Sequence, residues 1–405
     1  MAITRSSADE LFKQVLNPAN RSHPYPIYEQ LLTTPVAQLD SSTHFIVTTY
    51  NEITALLHDP RMSKDVRKSK AQGTSLRDES HPSLLFLDAP EHDQLRKLVM
   101  HQFTPERIFN MHGRISSLVM EMLAALRDQK QFDFVTQFAY LLPVTVICEL
   151  MGVPREDEQR FHTWADTLAA SLDPVIDYDP AKEAAVAEAA GELRTYMHDL
   201  IREKQAHPED DLISGLAAGN DPSGRMNEAD LITTLVLLLI AGHETTVNLL
   251  SNSMLTLLRH PLEWRKLHEQ PERVGRIVEE VLRYEPPVQF TQRYALTDIT
   301  LQGVTIPQGS TVEFLFAAGN RDPRHISHPN DFNPDRPDNQ HFGFGGGDHF
   351  CVGAPLARAE VHIALTELAR RLRHPRLLAD PPPYRVNAIL RGPQHLPLTF
   401  DSIAD

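Results

Sequence analysis

Two short stretches of this 405-residue chain carry residue types that do chemistry rather than packing. The first, "FGGGDHFCVG" (344–353), sets glycines at 345, 346, 347 and 353 around Cys351, one of only two cysteines in the chain. Glycine permits tight turns and close approach of backbone, so this sulfur can be brought against a flat or bulky partner. "VGAPLARAE" follows, with Pro355 suited to a helix's first turn. A cysteine just ahead of a helix start lies where backbone N–H groups and the helix dipole favour the thiolate. The second stretch, "AGHETT" (241–246), puts Glu244 and Thr245 side by side in apolar surroundings. Gly242 there gives up a side chain at about 1 kcal/mol relative to alanine in a helix, which makes room for something pressed against it. Polar groups in such a setting cost free energy unless they are paired or used.

A thiolate suits a metal. Zinc needs further Cys or His ligands at close spacing, and no second cysteine lies nearby. A lone thiolate instead suits the axial position of a haem iron. The bland alternative, an inert buried thiol, is the reading for Cys148 in "LLPVTVICELMGV". For Glu244 the bland alternative is a surface carboxylate on a kinked helix. A third stretch, "EEVLRYEPP", places Glu280 and Arg283 three apart and so on one helix face, and "FNPDRPD" (332–338) offers Arg336 between prolines. An ion pair of this kind supports the cysteine loop and has no catalytic role.

The elements that must carry these residues are mostly helical. "HGRISSLVMEMLAALRDQ" (112–129) and "AKEAAVAEAAGELRTYMHDLIREKQ" (181–205) return apolar residues every three or four positions. Strand patterns are short: "HFIVTTY" (44–50), "ITLQGVTIPQGSTVEFLF" (299–316) and "LPLTF" (396–400). "AGHETT" sits inside a run from 227 to 261 that Asn227 can cap and Pro261 stops, and that is apolar on every side in its middle. "LVLLLIAG" is too short for a bilayer span, which predicts a long helix through a protein core. The expected class is mainly α with a minor β part. No repeat or linker divides the chain, so a single domain over 1–405 is expected.

Lys+Arg 39 against Asp+Glu 54 gives a net charge of -15, which disfavours nucleic acid and anionic membrane as partners. Two cysteines are too few for a disulfide framework, and "MAITRSSADELFKQVL" lacks the apolar core of a signal peptide, so a cytoplasmic location is expected.

"AGHET", "EEVLR", "FNPDR" and "FGGGDHFCVG", in that order and joined by "LDAPEHDQLRKLVMHQFTP" (87–105), resemble the haem-thiolate monooxygenases, the cytochrome P-450 superfamily of the soluble bacterial type. The likeness runs from "HPYPIYEQL" to "LPLTF". It implies a haem b (iron protoporphyrin IX) lying between the long central helix and the cysteine-ligand loop, with Cys351 as the iron ligand. It implies a Glu280–Arg283–Arg336 structural network, and contacts to the haem from His92, Arg96, Ala241, Gly242, Arg293, Phe344, Gly345, His349 and Gly353. Among these, His92, Arg96, Arg293 and His349 match the groups that hold the propionates. Glu244 and Thr245 match the pair that delivers protons while one oxygen atom of O2 enters the substrate. By the same analogy a largely apolar small molecule, such as a terpenoid, steroid or macrolide, meets residues 66–86, 165–182, Val236, Leu239, Ile240, 287–291 and 389–392. No flavin-binding motif is present, so electrons are expected from a ferredoxin and its reductase, docking at Lys97, His101, Arg107 or Arg358.

Overall fold

The computed structural model describes residues 5–39, 41–68, 82–169, 179–218 and 226–404, and among them helices dominate while strands are short, as the periodicities predict. The chain gathers into two compact units: Met1–Met62, Asn110–Leu142 and Thr245–Asp405 form one, Ser63–Phe109 and Pro143–Glu244 the other.

The first unit holds a mixed sheet. His44–Val47 runs antiparallel to Val36–Gln38 and parallel to Thr311–Phe314, which pairs antiparallel with Thr291–Ala295. Side chains alternate across a strand, so Ile46 joins Phe12, Tyr28, Leu31 and Phe290 on one face, while Phe45 and Val47 join Ile53, Val312 and Phe314 on the other. A smaller antiparallel sheet joins Arg376–Leu377, Pro397–Thr399 and Gln131–Asp133. The helices Pro261–Glu269 and Ala354–Arg371 each take a proline in the first turn, where its missing N–H costs nothing, and Ala354–Arg371 packs against both Pro261–Glu269 and Val274–Tyr284.

The second unit is helical. Asp179 caps Pro180–Ala206 by accepting from the Ala181 and Lys182 N–H groups at 3.0 and 3.4 Å. That helix packs on Glu158–Ala169 through an edge-to-face contact of Phe161 with Tyr196, the Arg160 guanidinium over the Tyr196 ring, and the Trp164 Nε1–H donating to Glu192 at 2.8 Å. Lys204 near its end reaches Asp211 at 3.0 Å and so ties in Leu212–Ala217.

The expected long helix spans Glu228–Arg259, 32 residues, its first half in the second unit and its remainder in the first. Asn227 caps it, accepting from the Asp230 N–H at 2.8 Å, and Pro261 opens the next helix. Among the described residues it is the one helix long and apolar enough to cross a membrane, and residues 246–257 of it are all buried in protein.

Candidate active site

The cysteine loop closes on itself. The Cys351 N–H donates to the Phe344 carbonyl at 3.0 Å, the Gly345 N–H to the Phe342 carbonyl at 2.8 Å, and the Phe350 N–H to the Gly347 carbonyl at 3.1 Å. Gly345 and Gly347 stand at φ +71° and +64°, where an L side chain is strained, and a Cβ on Gly347 would lie 2.3 Å from the Leu57 carbonyl oxygen. Gly353 differs: its φ is -83°, and the nearest atom to a Cβ there is the Cys351 Sγ at 3.9 Å. The folded chain itself requires the first two glycines, whereas the third keeps space beside the sulfur. The helix Ala354–Arg371 begins three residues after Cys351, as the sequence predicts.

The two cysteines part company as expected. Cys351 is exposed, whereas Cys148 is fully buried, and burial, reinforced by Glu158 and Glu149, pushes its thiol far above the ordinary range. His349 lies half-buried in the turn Gly347–His349, beside the exposed Asp348.

Behind the loop, the predicted network is complete. Glu280 is fully buried and accepts two bonds from Arg283, both at 2.8 Å, one from Arg336 Nε at 3.0 Å and one from the Asn333 N–H at 2.8 Å. The guanidinium groups then donate onward: Arg283 to the carbonyls of Asn320, Pro329 and Asp331, and Arg336 to those of Ser327, His328 and Asp331. One carboxylate thus serves two guanidinium groups, and nearly every remaining donor goes to a backbone carbonyl, the hydrogen bonding that a buried ion pair needs to hold its geometry.

Arg293 projects from Thr291–Ala295, a strand the periodicity did not mark, and is 6% exposed, with Nη1 donating to the Gln292 carbonyl at 3.0 Å. The segments at 287–291 and 389–392 are brought together: Val288 bridges Leu390, the Gln289 N–H donates to the Ile389 carbonyl at 2.8 Å, and the Arg391 N–H to the Pro287 carbonyl at 2.7 Å. Of the other expected substrate segments, residues 69–81 and 170–178 lie outside the described residues.

In the second unit, His92 and Arg96 share the helix Glu91–Met100 one turn apart, His92 buried with Nδ1 3.0 Å from Asp93 Oδ1, Arg96 half-buried. On the long helix Ala241 is exposed, and Ile240, Gly242 and Thr245 are half-buried, while His243, Glu244 and Thr246 are buried. Glu244 is 1% exposed, so it is no surface carboxylate, and His243 Nδ1 lies 3.7 Å from its Oε1.

Sequence reasoning missed one cluster. Arg358, expected as a docking cation, is bound bidentately by Glu279, with His341 on the same carboxylate. The doubled acid of "EEVLR" was the available signal. Arg107 is likewise engaged, with Gln102 at 2.6 Å, while Lys97 and His101 are exposed.

These residues suit a haem: one accessible sulfur in a loop whose glycines keep its surroundings bare, a second thiol withdrawn by burial, buried cationic or hydrogen-bonding groups for two carboxylates, and a strip of small residues on an apolar helix. A family model described as Cytochrome P450 matches residues 33–400. Cytochrome P450 CYP107DY1 of Priestia megaterium is 36% identical over 87% of this chain and 88% of its own, and the vitamin D(3) 25-hydroxylase of Pseudonocardia autotrophica is 36% identical over 93% and 94%. The ligand-free crystal structure of Mycobacterium smegmatis CYP164A2 superposes with a TM-score of 0.90 at 39% identity, covering 96% of this chain and all of that one. A likeness of that extent in both sequence and fold leaves one assignment: the chain belongs to the cytochrome P450 family of haem b-dependent monooxygenases.

Proposed function

We propose that the protein inserts one oxygen atom from O2 into a largely apolar small molecule of the terpenoid, steroid or macrolide class, with electrons from a ferredoxin and ferredoxin reductase, in the cytoplasm, and that residues 1–405 work as one domain. The single family match across 33–400, which includes residues of both units, supports the last point. The observation that carries the reading is the exposed Cys351 at the head of Ala354–Arg371, in a loop fixed by its own backbone bonds.

When bound, haem b supplies the O2 activation and electron-transfer chemistry that no side chain offers. Cys351 would supply the sulfur that binds its iron. His92, Arg96, Arg293 and His349 would hold the propionates, since two carboxylates drawn out of water need cationic or hydrogen-bonding partners. Ala241, Gly242, Phe344, Gly345 and Gly353 would give the macrocycle its close surfaces. Thr245 and Glu244 move protons: the half-buried hydroxyl hands them to the reacting side, and the buried carboxylate resupplies it through water. Leu239 and Phe290 of the expected segments are fully buried, but the half-buried Val236, Ile240, Val288 and Ile389, beside Thr291, favour a largely apolar substrate with a few polar groups. A relative named as a vitamin D(3) hydroxylase is in keeping with that class.

Replacing Cys351 by Ser should abolish the red-shifted Soret band of the reduced carbonyl complex together with substrate oxidation. A band that persists in the variant removes Cys351 as ligand. Thr245→Ala should keep the band but divert reducing equivalents from product to hydrogen peroxide, and unchanged coupling would remove Thr245 from proton delivery.

A further inference from the structure

The helix Val274–Tyr284 presents two adjacent carboxylates, and only one belongs to the network already described. Glu279, 31% exposed, accepts from Arg358 Nε at 2.6 Å and Nη2 at 2.8 Å, and from His341 Nε2 at 3.2 Å. The Gly343 N–H donates to His341 Nδ1 at 3.0 Å, so the ring proton sits on Nε2 and is given to Glu279. The Arg358 guanidinium lies 4.4 Å from the centroid of Phe344, whose carbonyl accepts the Cys351 N–H at 3.0 Å. Arg358 is also within electrostatic reach of Cys351 itself.

Burial pushes the Glu279 carboxyl up, but the bonds from Arg358 and His341, with the Arg358 charge, outweigh it and hold the group down at about 2. Glu279 is therefore an anion at any working pH, and Arg358 a cation held between it and the sulfur's loop.

We propose that Glu279 is a positioning residue that sets the electrostatic field at Cys351, by clamping Arg358 on the face of Phe344 and balancing its charge. The inference rests on Cys351 being the iron ligand. A cation near the thiolate favours the reduced, more negative state of the centre, and the carboxylate offsets that cation. The two charges therefore act on the ferric/ferrous equilibrium with opposite signs.

The test is a potentiometric titration of the haem-loaded protein and four variants. Glu279→Gln keeps the shape but leaves Arg358 unbalanced, and should raise the midpoint potential, on the order of tenfold in the equilibrium or about 59 mV for one electron. Arg358→Gln leaves the carboxylate unbalanced and should lower it by a similar amount. The double variant should return close to the parent. Arg358→Lys, which keeps the charge, should stay nearer the parent than Arg358→Gln. A merely structural clamp would make Glu279→Gln and Arg358→Gln alike. Shifts of the same sign, or shifts below about twofold in variants that keep the thiolate carbonyl band, would overturn the proposal. If one single variant fails to take up haem, the sign of the other still decides. A parent protein lacking that band would instead overturn the assignment of Cys351, and this proposal with it.

Discussion

Alanine at Gly347 should injure the fold itself, before any cofactor is considered. The residue stands at φ +64°, where a Cβ meets its own backbone at about 1–2 kcal/mol. The added carbon would also lie 2.3 Å from the Leu57 carbonyl oxygen, far inside contact distance, and that oxygen belongs to the backbone and cannot rotate away. Forcing a carbon into such a place costs about 1–3 kcal/mol more once the surroundings shift. Together these give about 2–5 kcal/mol, a drop of roughly 30-fold to several thousand-fold in the folded-to-unfolded ratio. Urea unfolding of the haem-loaded variant, followed by far-UV circular dichroism, reads this directly. The control is Gly113→Ala, inside the helix Pro105–Ala125, where a Cβ meets nothing within 4 Å and should stabilise by about 0.5–1 kcal/mol. If Gly347→Ala unfolds within about 0.5 kcal/mol of the parent, the strain assigned to this turn is wrong.

Other perturbations separate the remaining roles. Glu280→Gln leaves the fully buried Arg283 and the nearly buried Arg336 without their anion and should lower stability by about 3–5 kcal/mol; a loss under about 1 kcal/mol in urea unfolding would contradict the network's role. Glu360, on Ala354–Arg371, is buried, and burial raises its carboxyl well above 4.5. Above pH 4.5 the unfolded chain releases that proton while the native state keeps it, so stability falls as pH rises until the native group ionises too. Glu360→Gln lacks this slope, and its melting temperature relative to the parent should climb between about pH 5 and about pH 8, whereas a flat difference would exclude a neutral buried acid. In haem-free protein, iodoacetamide should alkylate the exposed Cys351 and spare the buried Cys148 until unfolding; equal labelling in peptide mass spectra would contradict the contrast between the two thiols.

What the sequence disclosed depended on how local the cause is. The long helix was legible because Asn227, the apolar run and Pro261 lie in one continuous stretch, and the observed bounds Glu228–Arg259 fall inside those signals. The thiolate loop was legible because its glycines and its cysteine are neighbours in the chain. The strand Thr291–Ala295 was not, since "TQRYA" shows weak alternation and becomes a strand only by pairing with Thr311–Phe314. Tertiary pairing overrides a weak local pattern there. The Glu279 partner of Arg358 was not legible for a related reason: it lies 79 residues away, and a cation scanned alone in a sequence shows no partner. Glu280 and Arg283 were paired correctly because three residues on a helix is a local distance.

The doubled acid of "EEVLR" shows how two neighbours in sequence come to serve different parts of the chain. Successive residues on a helix diverge by about 100°, so two adjacent carboxylates cannot face the same way. Glu280 points into the core and binds Arg283, Arg336 and the Asn333 backbone; Glu279, 31% exposed, binds Arg358 and His341. The two sets share no partner, and each ties a separate stretch, 327–336 or 341–358, to one helix. Free energies add for distant sites without shared partners, and the separate partner sets extend that expectation to these two neighbours. The stability losses of Glu279→Gln and Glu280→Gln should therefore sum in the double variant to within about 0.5 kcal/mol in urea unfolding. A coupling above about 1 kcal/mol would mean that the carboxylates act as one cluster, and that the field at Cys351 cannot be altered through Glu279 without also loosening the core behind it.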